Sequence, residues 1–441
     1  MDVKKIIKII RDNMSNREAI LKAKKYYENK NDILDSGVLP LDNNGDALRS
    51  ADNRISHNFH QLMVDEKAAY MFTYPIQFDL DNNTDLNEEV ESILGDEKES
   101  IAQELCVEAS NAGRAFLHYW IDEDDKSFNY AVVNAEEIIT KYDNTLKKKL
   151  VEVYRYFELI EDDNVSYVIF EHWTNNRLTE YKLKGNIDSS DLKLVDTKLI
   201  EHDFGRVPFI EFKNNKNCIS DLNKYKTLID LTDKVMSGYA NDMEDIQQLI
   251  YILEGYGGQD LQEFKNDLRR FKAIKVDGGA DGGSVKTLQI DIPVEARVKI
   301  IEILEKRIYE AGQALQQDTE SVGNASGVAL KFFYRKLELK AGKTETEFKK
   351  GFNVLIRAIL KYLNKDVKKI IQTYTRNMIS NDLETAQIAA MSVGFIPEKL
   401  TVKNHPWSEN ADKDYEELVK ERQAQLVNSD DYSNLEDNNN E

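Results

Sequence analysis

The stretch Ser220–Asp245, SDLNKYKTLIDLTDKVMSGYANDMED, decides the fold. Leu222, Tyr225, Leu228, Ile229, Val235, Met236, Tyr239 and Met243 recur with a period of about 3.6 residues, and Ser220 stands ready to cap the first turn. The spacing predicts one long amphipathic helix. A second is predicted from about Pro293 to Gln316, with Asp291 near its N-cap and Pro293 in its first turn. Val294, Val298, Ile301, Leu304, Ile308 and Leu315 lie along one side of it. Between the two comes a compact insert: LIYIL (249–253), a Gly-rich turn, the amphipathic LQEFKNDLRRF (261–271), AIKV (273–276) and VKTLQI (285–290). The last two runs flank DGGADGGS, whose glycines predict a hairpin loop. Two long helices therefore bracket a small βαββ unit.

Toward the N-terminus, a helix is predicted over about Val3 to Tyr27, followed by a turn-rich stretch at Pro40, Asn43, Asn44 and Gly45. A helix over Asn53 to Phe72 places Ile55, Phe59, Leu62, Met63, Ala69 and Tyr70 on one face before Pro75 stops it, and another over Glu97 to Ala112 is closed by Gly113. From there to about residue 212 the pattern changes to short β-branched and aromatic runs: AFLHYWI (115–121), YAVV (130–133), VEVYRYF (151–157), SYVIF (166–170) and RLTEYKL (177–183). Polar turns separate them, so the fold class is α+β, rich in helix, with an antiparallel sheet. Toward the C-terminus, QQDTESVGNASGVAL (316–330) breaks the helical pattern. A helical stretch of roughly 45 residues then carries Phe332, Phe333, Leu337, Phe348, Phe352, Leu355, Ile359 and Leu363. Two shorter helical pieces, a charged helix over about 409–427 and the polar tail SDDYSNLEDNNNE complete the chain, the tail lacking the apolar residues needed to order itself.

With 441 residues the chain is long enough for several packed regions. It carries 79 Asp+Glu against 59 Lys+Arg, a formal charge of −20, where a dedicated tight nucleic-acid binder would be basic. Gly (20) and Pro (6) are scarce, which excludes collagen-like and low-complexity chains. Cys106 and Cys218 are too few for a disulfide framework or a multi-cysteine zinc site and lead us to expect a reducing compartment. No run approaches the 18 or more apolar residues of a membrane span, so neither secretion nor membrane insertion is expected.

The chemistry of catalysis is missing from the motifs. AGKT (341–344) has Leu337 where a phosphate-cradling loop needs glycine, and no strand precedes it. Of His57, His60, His118, His172, His202 and His405, only the first two are spaced to converge on a helical face, and there is no HExxH. The pairs Asp124-Asp125 and Asp162-Asp163 fall in predicted turns, and no GxSxG or Cys/His signature occurs. We therefore expect no enzyme, metal or cofactor. One basic group interrupts the acidic chain: Lys265, Arg269, Arg270, Lys272 and Lys275 against Asp267 alone, a net of +4 over 265–275. It reads either as a solvated helix face or as a patch for DNA or an acidic partner.

The order of segments and several strings resemble the portal proteins of tailed bacteriophages, in the branch common among phages of Gram-positive hosts. The residues that carry the resemblance are Tyr26-Tyr27 with Ile33-Leu34, NRISHNFHQLMVDEKAAYMFTYPI (53–76), HDFGRVPFIEFKNN (202–215), Ser220–Asp245 and NASGVALKF (324–332). Two positions depart from the pattern: Asn29 and Thr73 stand where the family has glycine, and Thr73 would suit a left-handed turn poorly. The resemblance implies wing, stem, clip and crown: 1–217 as wing, 218–246 and 292–316 as stem helices, 247–291 as clip, 317–327 as tunnel loop. Residues 328–380 would be a long helical segment returning to the wing, 381–428 the crown and 429–441 an acidic tail. It further implies a ring of about twelve copies, or about thirteen when overproduced, around a channel for double-stranded DNA. The implied partners are the terminase large subunit, scaffold and major capsid proteins and a head-completion or adaptor protein. The implied location is a capsid vertex of the virion, reached from the host cytoplasm. On this reading Asp318, Thr319, Glu320, Ser321, Val322, Gly323 and Asn324 form the tunnel loop, and the basic group lies in the clip. Two rivals are a non-phage oligomeric scaffold or adaptor with a helical stalk, and a metal-dependent nuclease using acidic clusters.

Overall fold

The computed structural model describes residues 1–35, 51–161, 165–246, 250–254, 284–288, 294–316, 327–376, 382–392, 394–403, 405, 408, 411 and 413–423. They divide into two compact units, one of Met1–Ala314 with Lys340–Arg376, the other of Leu315–Leu339 with Asn377–Glu441.

In the first unit, α1 (Val3–Tyr27) is followed by the short α2 (Asp32–Asp35), α3 (Phe59–Phe72), β1 (Gln77–Leu80), α4 (Thr84–Leu94) and α5 (Lys98–Ala112). Asn83 caps α4 by accepting from the Leu86 amide at 3.2 Å. Gly113 ends α5 at φ 81, where an added Cβ would stand 2.1 Å from the Cys218 carbonyl oxygen, so glycine alone fits. The chain then makes β2 (Arg114–Ile121), β3 (Phe128–Val133), β4 (Ile138–Tyr142), β5 (Leu150–Ile160), β6 (Ser166–Trp173), β7 (Arg177–Lys184), β8 (Lys193–Glu201) and β9 (Phe209–Lys213). These form two antiparallel sheets, β3-β2-β9 and β4-β5-β6-β7-β8. In the larger one, Tyr156, Phe170 and Tyr181 stand opposite one another and, with Tyr154, Val168 and Leu183, make the face that α1 covers with Ile6 and Ile10. Alternation along each strand puts this set on one side, and each such side chain taken from water contributes roughly 1.5–3 kcal/mol.

After a three-ten turn at Leu222–Lys224 comes α6 (Lys226–Ile246), then β10 (Ile250–Glu254) paired antiparallel with β11 (Ser284–Leu288), then α7 (Val294–Gly312). α8 (Gly327–Tyr362) brings Phe348 and Phe352 against Phe72, Phe78 and Phe212, with ring centroids 4.9–6.1 Å apart. Gly351 lets that helix close on Phe212, since a Cβ there would meet the ring at 2.5 Å. β12 (Ile370–Thr373) pairs antiparallel with β1. The second unit contributes α9 (Asp382–Ser392), α10 (Glu398–Lys403) and a helical segment at 413–423, with Arg422 paired to Glu398.

Several expectations need correction. Residues 51–58 are not helical; α3 begins at Phe59, because side chains of α6 hold the preceding backbone extended. Ser220 does not cap the long helix, which starts at Lys226; its Oγ accepts from the Leu222 amide at 3.2 Å, at the start of the three-ten turn, and donates to the Ser110 carbonyl at 3.2 Å. The helical stretch after the 316–330 break is 36 residues long and gives way to β12 within the span expected to be helix. Asn364 at φ 55 ends it, as the Lys365 amide returns to the Leu360 carbonyl at 2.8 Å. Phe332 and Phe333, expected on the apolar face, are 68% and 40% exposed, and Val294 and Val298 of α7 are exposed as well.

Candidate functional site at the root of the helix pair

α6 and α7 pack along each other. Arg297 pairs with Asp242 and lays its guanidinium 5.5 Å from the Tyr239 ring centre. Nearer the N-terminus of α6, Tyr225 and Ile229 meet Ile308 of α7, Met63 and Phe59 of α3 and Tyr26 of α1. Only part of the amphipathic periodicity that predicts both helices enters this seam: Leu222, Tyr225, Leu228, Ile229 and Ile308 do, whereas Met243, Val294 and Val298 are exposed.

Beneath it lies a buried polar hub. Asp221, one residue before the three-ten turn, is 1% exposed and accepts from Lys67 of α3 at 2.7 Å, Lys224 at 2.8 Å and Asn214 at 3.1 Å. Lys340 of α8 approaches the same carboxylate at 3.4 Å and donates to the Gly312 carbonyl, the last residue of α7, at 2.9 Å. Lys67 also donates to Asn214 at 2.8 Å, and the Thr344 hydroxyl donates to the Asn214 carbonyl at 3.1 Å. One carboxylate thus gathers α3, the loop after β9, α8 and, through Lys340, the end of α7. Three cations hold the Asp221 carboxyl well below its usual range despite burial, which acts the other way. Lys340 is pushed down to about 8, chiefly by burial. Beside the hub, His60 lies between the Tyr225 hydroxyl at 2.7 Å and Asn111 at 2.9 Å, and burial lowers it to about 4.

A second device fixes α6 along its length. The amides of Asn53, Ile55 and His57 donate to Asn241 Oδ1 at 2.6 Å, Ser237 Oγ at 2.9 Å and Asp233 Oδ1 at 3.1 Å. Two residues of extended chain advance about 6.6 Å and four residues of helix about 6.0 Å, so alternate amides meet every fourth helical side chain. Asp233, fully buried, also takes His57 Nδ1 at 2.7 Å and Asn31 at 2.7 Å. The segment before it turns at Asn29, φ 58, which Asn tolerates in place of glycine, and the Ser56 hydroxyl donates to the Asn29 carbonyl at 2.8 Å. At Thr73 the φ is −66, right-handed, so the turn there asks nothing of glycine.

Neither hub nor strap carries a motif that marks it in the sequence. The available signal was Asp233, Ser237 and Asn241 at strict four-residue spacing inside an otherwise amphipathic helix. The expected tunnel residues Asp318, Thr319, Glu320, Ser321, Val322, Gly323 and Asn324 lie outside the described residues, as do Lys265, Arg269, Arg270, Lys272 and Lys275, the expected helix 261–271, the expected strand AIKV (273–276) and the loop DGGADGG between it and the next. His57 and His60 do not converge: one faces Asp233 from extended chain, the other faces Tyr225 from α3. AGKT (341–344) is continuous helix within α8. Among the described residues, no group of three or more His, Cys, Asp or Glu side chains is arranged to hold a metal ion, and no helix is long and apolar enough to cross a membrane. The arrangement is mechanical: it fixes the register of α6 and ties the last residue of α7 to the turn that leads into α6.

Comparison with known proteins agrees with that geometry. The chain is 52% identical over 452 residues to the portal protein of Clostridium phage phiCD119, covering 99% of this chain and 100% of that one. It is 31% identical over 428 residues to the portal protein of Bacillus phage SPP1, covering 92% of this chain and 84% of that one. A chain in the neck of an empty GTA particle superposes with a TM-score of 0.47 at 11% identity, over 78% of this chain and 88% of that one, a likeness too distant to carry argument. The sequence profile of the phage portal proteins of SPP1 Gp6-like type matches residues 7–426. With nearly the whole length matched and the two long helices present, the chain belongs to the SPP1 Gp6-like family of phage portal proteins.

Proposed function

We propose that this portal protein closes into a ring of about twelve copies at one capsid vertex and serves there as the conduit through which double-stranded DNA is packaged and ejected. The observation that carries the reading is the helix pair α6 and α7, rooted by one buried hub and joined through the β10–β11 hairpin. The pair would form the stem, the hairpin and its insert the clip, and 317–327 the tunnel loop. The clip would dock the terminase large subunit during packaging and a head-completion or adaptor protein afterwards. Scaffold and major capsid proteins would surround the wing, with assembly taking place in the host cytoplasm. The ATP-consuming work belongs to the motor, and the portal itself is structural.

Charge supports a conduit. About twelve copies would carry about −240 formally, and a wall of that sign repels phosphates instead of gripping them through cation–phosphate contacts. The tunnel sequence has Asp318 and Glu320 and no Lys or Arg over 318–326. The clip group Lys265, Arg269, Arg270, Lys272 and Lys275 is the local exception, suited to DNA or to an acidic face of the motor or adaptor. Negative-stain electron microscopy with solution mass tests the reading. Rings with a hole of about 20 Å or more and a mass near 610 kDa, about twelve chains of 50.9 kDa, are expected. A dimer or trimer that stays small at high concentration, even with scaffold protein present, would overturn it in favour of an adaptor.

A further inference from the structure

Above the buried hub the surface opens into a cleft of about 510 Å³ between the loop 214–224, Gln313 and the α8 segment 340–347. Its floor is the hub itself: Lys340, Asp221 and Thr344 are all under 5% exposed. Its rim carries Lys216, Lys224 and Lys343, all exposed. The lining holds four ammonium groups and two carboxylates, and both carboxylates are engaged: Asp221 by the hub, Glu347 by Lys350 at 2.7 Å. Among the described residues, Lys216 and Lys343 make no ion pair. This is a cationic recess in a chain of net charge −20.

We propose that the cleft receives carboxylate side chains of a neighbouring copy of this chain in the assembled ring. The inference rests on the ring reading above. In a cyclic ring the contact is heterologous, so a patch on one copy meets a different patch on the next, and a basic recess on a strongly acidic chain finds its complement there. DNA is the poorer occupant. A duplex is about 20 Å wide, whereas a recess of this volume admits a few side chains, and its lining offers no arginine to grip a phosphate with two parallel bonds. Lys216 and Lys343 do the holding. Buried Lys340, tied to Gly312 and Asp221, raises the local potential from below.

Rings assembled from mixed ¹⁵N-labelled and unlabelled chains, treated with a zero-length carbodiimide cross-linker and mapped by mass spectrometry, test the contact directly. Lys216 or Lys343 joined to an Asp or Glu peptide, with labelled and unlabelled halves combined, is the expected product. Links confined to one isotope, or none, overturn the proposal. The double variant Lys216→Gln/Lys343→Gln, checked for an unchanged melting temperature, is expected to raise the protein concentration for half-assembly by about tenfold at low salt. At 1 M salt the effect should shrink to less than about threefold, since screening then acts over about 3 Å. Unchanged assembly at low salt overturns the proposal, and if DNA retention by the rings falls instead, the cleft belongs to DNA. Wild-type protein that forms no ring at all would overturn the ring reading, and this inference with it.

Discussion

Asp221→Asn is the sharpest probe of the hub. The substitution keeps the shape of the side chain and removes the single negative charge that faces Lys67 and Lys340, which are 0% and 4% exposed. Breaking a buried ion pair by removing one partner costs about 3–5 kcal/mol, because the other charge stays buried without compensation. Lys340 has an escape: its folded-state value is already about 8 with Asp221 raising it, so once that carboxylate is gone giving up its proton at pH 7 costs at most about 1–2 kcal/mol. Lys67 is left with neutral amide oxygens only, that of Asn214 and that of the introduced side chain, and with no counter-charge, so it carries most of the loss. Lys340→Met removes a cation that burial already disfavours and leaves the Gly312 carbonyl without its donor, a cost of about 1–3 kcal/mol partly offset by the relieved desolvation. The expected order is Asp221→Asn well above Lys340→Met, measured by urea unfolding of protein held in one oligomeric state. Hydrogen exchange at the Leu222–Ile229 amides should rise in the first variant and much less in the second. A loss below about 1 kcal/mol for Asp221→Asn, or one no larger than for Lys340→Met, would refute the reasoning.

Ser237→Ala removes the acceptor of the Ile55 amide and should cost about 1–3 kcal/mol, with exchange protection lost at Ile55 while the α6 amides keep theirs. Gly113→Ala places a Cβ 2.1 Å from the Cys218 carbonyl oxygen at φ 81, so a loss above about 3 kcal/mol is expected in thermal melts, against less than about 1 kcal/mol for Gly238→Ala, where the space is open. His60 and His118 are each lowered from 6.5 to about 4, chiefly by burial, so the unfolded chain binds the proton first; stability is intact above pH 6.5 and falls between pH 6.5 and 4, by up to about 3 kcal/mol per group. Calorimetric melts from pH 7 to 4 should show it, and His60→Gln should remove one such share of the fall, up to about 3 kcal/mol, with His118, His172 and His202, all lowered by burial, accounting for others. Lys340 acts at the other end: its folded value of about 8 lies below the unfolded 10.5, so its contribution to stability rises with pH across that window, and Lys340→Met should flatten the slope.

Most helices and seven of the strands were legible, and where one face is buried it writes a period into the sequence: Tyr154, Tyr156, Val168 and Phe170 alternate, and Leu304 and Ile308 of α7 follow helical spacing. Elements without such a face were not legible. β8 is exposed along nearly its whole length and is held by its ladder to β7, so KLVDTKLIE shows little alternating burial. Residues 53–58 misled for the opposite reason. Ile55 and Phe59 fall at helical spacing, but the backbone between them is claimed by Asp233, Ser237 and Asn241, 176 or more residues away in sequence. The hub was hidden likewise: Lys67, Asp221 and Lys340 read singly as surface charges, and only the fold brings them onto one carboxylate. The family resemblance was legible where the hub could not be, since it rests on the order of strings and not on which of them touch.

The polar character of this root has a mechanical logic. An apolar seam such as the one around Tyr225, Ile229 and Ile308 is strong but non-directional, and it gives up little when one helix slides a fraction of a turn along another. A ladder of three amide donors on three side-chain acceptors behaves differently. Sliding the strap by one rung moves it about 6 Å and leaves at least one amide without its acceptor, while any smaller slide breaks all three bonds at once. Each of these part-buried amides left unpaired costs about 1 kcal/mol, so small displacements that break all three bonds meet a barrier of about 3 kcal/mol that the apolar seam alone would not supply. The hub acts the same way at the other end, where Lys340 holds the Gly312 carbonyl and Asp221 together and so fixes the last residue of α7 against the start of α6. In the proposed stem, beside moving DNA, the helices would need this resistance to axial slip more than added stability. On that proposal the requirement would account for a cluster of buried charge where leucines would pack as well.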